Sequence, residues 1–208
     1  MAIVALTVVA GCESAYYGAA EKFGIHKRDI LVDRVEDAME SQEEAKEQFE
    51  SALEQFASVV TIAPSELKDT YERLNSAFEE SEDRAEDVGD RIDAVESVSE
   101  ALFDEWREEL QQYSNDQLRR SSERTLKRTQ TSYAGLMRSM RRAEGRIEPV
   151  LNAFRDQVLF LKHNLNAQAI SSLKSELAGI ESDVAVLLRD MEASIATSRA
   201  FITEMEQS

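Results

Sequence analysis

Apolar residues recur along this chain at alternating steps of three and four. The first run is Leu31, Val35, Ala38, Gln42, Ala45, Phe49, Ala52, Phe56 and Val59, with Gln42 its one polar member. A second passes through Leu67, Tyr71, Leu74, Phe78, Ser81, Ala85, Val88, Ile92, Val95, Ser99, Leu102 and Trp106, and Leu110 and Tyr113 continue it. The last runs Ile170, Leu173, Leu177, Ile180, Val184, Leu187, Met191, Ser194, Ser198, Phe201 and Met205. This spacing puts one stripe along one side of a helix, and a period near 3.5 residues winds helices left-handed around each other. Leu53, Val60, Val98, Phe103, Leu188 and Ile195 flank the stripes and widen them. A wide stripe suits a bundle better than a two-stranded coil.

A third segment starts with a largely polar face of Leu118, Ser122, Thr125, Thr129 and Tyr133. It firms up through Leu136, Met140, Ala143, Ile147, Val150, Phe154, Val158, Leu161 and Leu165. Pro149 interrupts it. Proline inside a helix removes a hydrogen bond and clashes with the preceding turn. The helix either kinks there or ends near Arg146 and restarts with Pro149 in its first turn. The apolar face keeps its phase across the proline, so a kink is expected. Ala63-Pro64-Ser65 starts the second helix, and Ser114 with Gln117 three residues on reads as a capping box for the third. Asn164 and Asn166 mark the turn into the last helix. The expectation is an all-α, elongated, antiparallel helical bundle with coiled-coil-like heptad packing. It has about four long helices, near 29–60, 65–113, 115–163 and 167–206, forming a single domain over 29–208.

Composition agrees. The 208 residues include only two prolines and seven glycines, while 31% are charged and 7% aromatic. That balance favours long helices. A single cysteine allows no intrachain disulfide, so packing alone must hold the fold. The net charge of −17 repels nucleic-acid phosphates, so no nucleic-acid partner is expected. The charge is also uneven. Residues 29–113 hold 27 acids against 7 bases, and residues 116–146 hold 3 acids against 9 bases. The basic run is Arg119, Arg120, Arg124, Lys127, Arg128, Arg138, Arg141, Arg142 and Arg146. It is either a patch for an acidic partner or, the favoured reading, a basic helix lying against acidic ones in the same bundle.

The sole cysteine closes an apolar stretch as Val9-Ala10-Gly11-Cys12. Small residues leading into a cysteine resemble a bacterial lipobox. Residues 1–11 then read as a signal peptide, Cys12 as the lipidated residue, and 12–28 as a tether. No Lys or Arg precedes Lys22, and the apolar stretch is short, so the true start is expected a few basic residues upstream. The alternative is an ordinary buried cysteine. The stretch is too short to span a bilayer, which takes roughly 20 apolar residues. Glu13 at the position after the cysteine implies export to the outer membrane, by resemblance to the sorting of such lipoproteins. Tyr16, Tyr17 and Phe23 lie in the tether. They either rest at a membrane interface or cap the bundle.

Catalytic patterns are hard to find. The histidines, His26 and His163, are each preceded three residues earlier by phenylalanine, not by the glutamate that a bundle di-iron site requires. No Gly-rich phosphate loop and no nucleophile elbow occurs. Carboxylate pairs such as Glu43-Glu44, Glu79-Glu80 and Glu86-Asp87 read as solvated helix faces, so neither metal nor cofactor is expected. The polar cluster worth inspecting is Lys162, His163, Asn164 and Asn166, where helix ends could receive a small anion. The plainer reading is a capped turn.

Several runs carry a family likeness. They are Gly11-Cys12 with Ser14-Ala15-Tyr16-Tyr17, His26-Lys27-Arg28-Asp29-Ile30-Leu31-Val32-Asp33-Arg34-Val35-Glu36-Asp37-Ala38, Ala101-Leu102-Phe103-Asp104-Glu105-Trp106, and Phe154-Arg155-Asp156-Gln157 continuing to Lys162-His163-Asn164-Leu165-Asn166-Ala167. Together they resemble an uncharacterised family of Gram-negative bacterial predicted lipoproteins with a domain of unknown function. The resemblance spans nearly everything from Gly11 onward. It implies an envelope lipoprotein and a helical fold, and supplies no activity, ligand or catalytic residue. The function expected is therefore non-enzymatic. A scaffold or adaptor, tethered to the outer membrane and facing the periplasm, would bind or space another envelope component. Alternatives are a self-assembling rod and a bundle that binds a small ligand or cation.

Overall fold

A computed structural model describes residues 26–61, 66–164 and 166–207. Cys12, Tyr16, Tyr17, Phe23 and Pro64 lie outside the described residues, as does the whole of the expected signal peptide. The elements are α1 (Lys27–Ser58) with a 3-10 turn (Val59–Thr61), α2 (Leu67–Glu109), α3 (Asp116–Glu144), α4 (Ile147–His163) and α5 (Ala167–Gln207).

The apolar stripes dictate the architecture. Every member of the α1 stripe is buried, Gln42 included. So are Leu74, Val88, Ile92 and Val95 on α2, Leu136 and Met140 on α3, Phe154 and Leu161 on α4, and Val184, Leu187 and Met191 on α5. Helix α1 packs on α2 and α5, while α3 and α4 together fill the third column, also against α2 and α5. Successive columns run antiparallel. Phe154 reaches across the centre to α1, stacking on Phe56 with centroids 4.4 Å apart and on Phe49 at 6.3 Å. The fold is thus an elongated all-α bundle. Its longest helix, of 43 residues, spans about 65 Å at 1.5 Å per residue.

Polar contacts fix which ends meet. Lys27 Nζ lies 3.1 Å from Glu105, and Arg128 lies 3.5 Å from Glu204. The start of α1, the α2–α3 turn and the end of α5 therefore share one end of the bundle. That end has its own small core of Phe103, Leu110 and Leu126, against which Trp106 and Tyr133 pack. Trp106 Nε1 donates to Ser122 Oγ at 2.8 Å, and the Tyr133 ring meets Phe103 edge-on at 5.3 Å.

Three local expectations change. The third column is interrupted rather than kinked at the proline. Helix α3 ends at Glu144 and α4 restarts at Ile147, which places Pro149 in the first turn of α4. The break falls at Gly145-Arg146 because the proline ring would clash with the carbonyl four residues earlier, that of Gly145. The cap of α3 is Asn115, not Ser114. Asn115 Oδ1 accepts from the backbone N–H groups of Gln117 and Leu118 at 2.9 and 3.2 Å. Finally, α2 stops at Glu109, so Tyr113 does not continue the buried face and is 42% exposed. Leu118 is likewise on the surface, at 56%.

Candidate functional site

The most informative surface chemistry is the distribution of charge around the column of α3. Five of its cations are held by acids. Arg141 on α3 gathers Asp93 at 2.6 Å and Glu96 at 2.5 Å from α2, and Glu144 at 3.1 Å from its own helix. Burial works against its charge, but these carboxylates outweigh that and hold the guanidinium protonation above its ordinary range. Arg142 and Arg146 flank the α3–α4 break at 3.8 and 3.4 Å from Asp190, a nearly buried residue of α5. Arg128 faces Glu204, and Arg119 stays local with Asp116 at 3.2 Å. For these residues the basic helix lies against acidic neighbours of its own bundle.

Four others do not. Arg120, Arg124, Lys127 and Arg138 are exposed and make no ion pair among the described residues. Steps of four, three and eleven residues place them on one line of the helix. That line is opposite the buried Leu126, Thr129, Leu136 and Met140. Helix α2 carries the counterpart: Glu79, Asp83, Glu86 and Asp90 are exposed at steps of four, three and four, without a salt bridge. Glu79 accepts a hydrogen bond from Asn75 on its own helix. Composition along the sequence showed the imbalance. Only the fold separates the cations consumed inside the bundle from those left facing outward.

The acidic α1 helix is stitched to its neighbours instead. Arg84 meets Glu44, Arg91 lies 3.7 Å from Asp37, Lys46 2.7 Å from Glu192, and Arg199 pairs with Glu43. The hydrogen bond to Glu192 raises the pKa of the Lys46 ammonium. The Lys46–Glu192 and Arg199–Glu43 pairs bridge the shallow groove between α1 and α5 lined by Glu43, Lys46, Glu192, Ile195 and Arg199. An ion-paired seam describes it better than a ligand cleft.

The Lys162–Asn166 cluster forms the α4–α5 turn, with Leu165 outside the described residues. Lys162 and His163 are exposed in the last turn of α4, where a cation complements the carbonyl end of the helix. Asn164 Nδ2 donates to the Phe160 carbonyl at 2.8 Å, and the Asn166 N–H to the Asn164 carbonyl at 3.0 Å. The asparagines thus satisfy the helix end themselves. Among the described residues, no group of three or more His, Cys, Asp or Glu could hold a metal ion, and no helix is long and apolar enough to cross a membrane.

No curated protein and no solved structure shows a significant match to the chain. A family model does, over residues 16–205, which covers all or nearly all of each described helix. The chain belongs to the family described as protein of unknown function DUF2959.

Proposed function

We propose that this protein is a non-enzymatic lipoprotein of the cell envelope. In this reading a lipid on Cys12 tethers the bundle to the outer membrane, and the rod faces the periplasm, where it binds or spaces another envelope component. The observation that carries the reading is the position of the α1 start. Residues 12 to 27 lead from the lipobox cysteine to the very end of a rod, next to the α2–α3 turn. A lipid there would hold the rod by one end and leave the opposite end up to about 65 Å away. The buried stripes give the rod a long packed core, and its outer faces are charged, as suits a spacer or adaptor.

The test is the intact mass of the mature N-terminus from the native host's membrane fraction. Cys12 carrying a diacylglycerol and a further acyl chain is the expected result. An unprocessed chain in the soluble fraction would overturn the envelope reading. Site-specific cross-linking in cells from exposed mid-helix positions should then trap one defined partner rather than abundant bystanders.

A further inference from the structure

We infer that the outward basic line of α3 is a docking surface for the outward acidic line of α2 on a second copy of this chain. The apolar stripes mostly face the bundle's own core, and the exposed large apolar side chains, Tyr113, Leu118, Leu159 and Phe160, lie toward its two ends, so the long outer faces left for another copy are charged. Both halves of a complementary contact are then present on one molecule. Arg120, Arg124, Lys127 and Arg138 face outward without acidic partners, and Glu79, Asp83, Glu86 and Asp90 face outward without basic ones. Arg120, Arg124 and Lys127 advance by four and three and the acids by four, three and four, so two helices laid side by side bring three opposite charges into register, with Arg138 beyond the end of the acidic line.

The contact cannot be made within one molecule. Arg141 sits level with Glu96, and Arg155 of α4 sits level with Glu82 at 2.7 Å. The acidic line of α2 is therefore level with α4, and the basic line of α3 with the later half of α2. The lines lie on adjacent columns at different heights. A contact between copies therefore sets the basic line of one molecule against the acidic line of another. The like charges elsewhere on the rod are screened beyond about 8–10 Å at physiological salt, so the facing lines govern the encounter. Exposed pairs are individually weak. The association is accordingly weak, salt-sensitive and dependent on concentration. It requires no lipid and stands apart from the envelope reading.

The experiment is sedimentation velocity on the full chain carrying Cys12→Ser, over a concentration series at a low salt of about 0.1 M, where the remaining like charges are still screened, and at about 0.5 M salt. The expected result is an average mass that grows with concentration at low salt, with association weakened about tenfold or more at high salt. One variant combines Arg120→Glu, Arg124→Glu, Lys127→Glu and Arg138→Glu. Another combines Glu79→Lys, Asp83→Lys, Glu86→Lys and Asp90→Lys. Each is expected to stay monomeric alone, and an equal mixture of the two to associate again. Far-ultraviolet circular dichroism reports that both remain helical. A monomer at every concentration, or association that salt leaves unchanged, would overturn the inference. So would failure of the mixture to associate. Binding of the wild type to anionic phospholipid vesicles, without self-association in the same buffer, would reassign the basic line to a membrane surface.

Discussion

Gln42 sits in the α1 stripe at 0% exposure, and neither its Nε2 nor its Oε1 finds a hydrogen-bond partner. Ser41 and Ser194 leave buried hydroxyls in the same condition. An unsatisfied buried polar group costs roughly 1–3 kcal/mol. Gln42→Leu, which keeps the volume, is therefore expected to raise the unfolding free energy by about that amount in urea titration. A loss of stability instead would show that the amide is satisfied by a buried water. Tyr133 offers a test by pH. Burial pushes its phenol above the ordinary value of 10.0, the nearby Glu96 and Glu100 add to the shift, and Ser99 opposes it. The fold thus favours the protonated phenol. Its contribution is fully present below pH 10 and is lost as pH rises from there through the raised value. Tyr133→Phe should flatten that part of the alkaline decline, with absorbance titration showing the missing late-titrating tyrosine.

Among the elements, the long stripes were legible because burial imposes the 3.5-residue period wherever two helices pack. The α1 stripe was legible residue for residue, even its polar member. Short-range competition was less visible. Ser114 and Asn115 are both good caps, and only the backbone shows which side chain reaches the free N–H groups. Asn115→Ala is expected to destabilise the protein by about 1 kcal/mol, measured by thermal unfolding, whereas Ser114→Ala should leave it unchanged. Pro149 gave two permitted outcomes. Phase continuity of the apolar face does not choose between them, because Gly145 and Arg146 keep right-handed helical backbone angles through the break and so leave Ile147 and Val150 buried. The pair of arginines at the break and the Asp190 they share on α5 come together only in three dimensions. Nothing in the local sequence connects residues 142 and 146 to residue 190.

On the scale of the whole molecule, both ends of the rod present exposed apolar side chains, and a tether at Cys12 would give them different surroundings. One end carries the α2–α3 turn with exposed Tyr113 and Leu118, close to the start of α1. The other carries the α4–α5 turn, where Lys162 and His163 follow the exposed Leu159 and Phe160. Aromatic and aliphatic side chains beside a bilayer favour its interface, so the place of the anchor, not the make-up of the ends, decides which end meets it. If lipidated Cys12 anchors the chain, the first end lies within reach of the headgroups and the second stands off by up to about 65 Å. Since Cys12 is the chain's only cysteine and is blocked by lipid in this state, a thiol introduced elsewhere can be labelled alone. A fluorophore at Tyr113→Cys in vesicles bearing the lipidated protein is expected to be quenched strongly by headgroup-borne quenchers. The same fluorophore at Lys162→Cys should be quenched little. Equal quenching at both sites would mean that the rod lies flat on the membrane. A spacer's reach would then be lost, leaving the charged outer faces of α2 and α3 as the surfaces through which the protein acts.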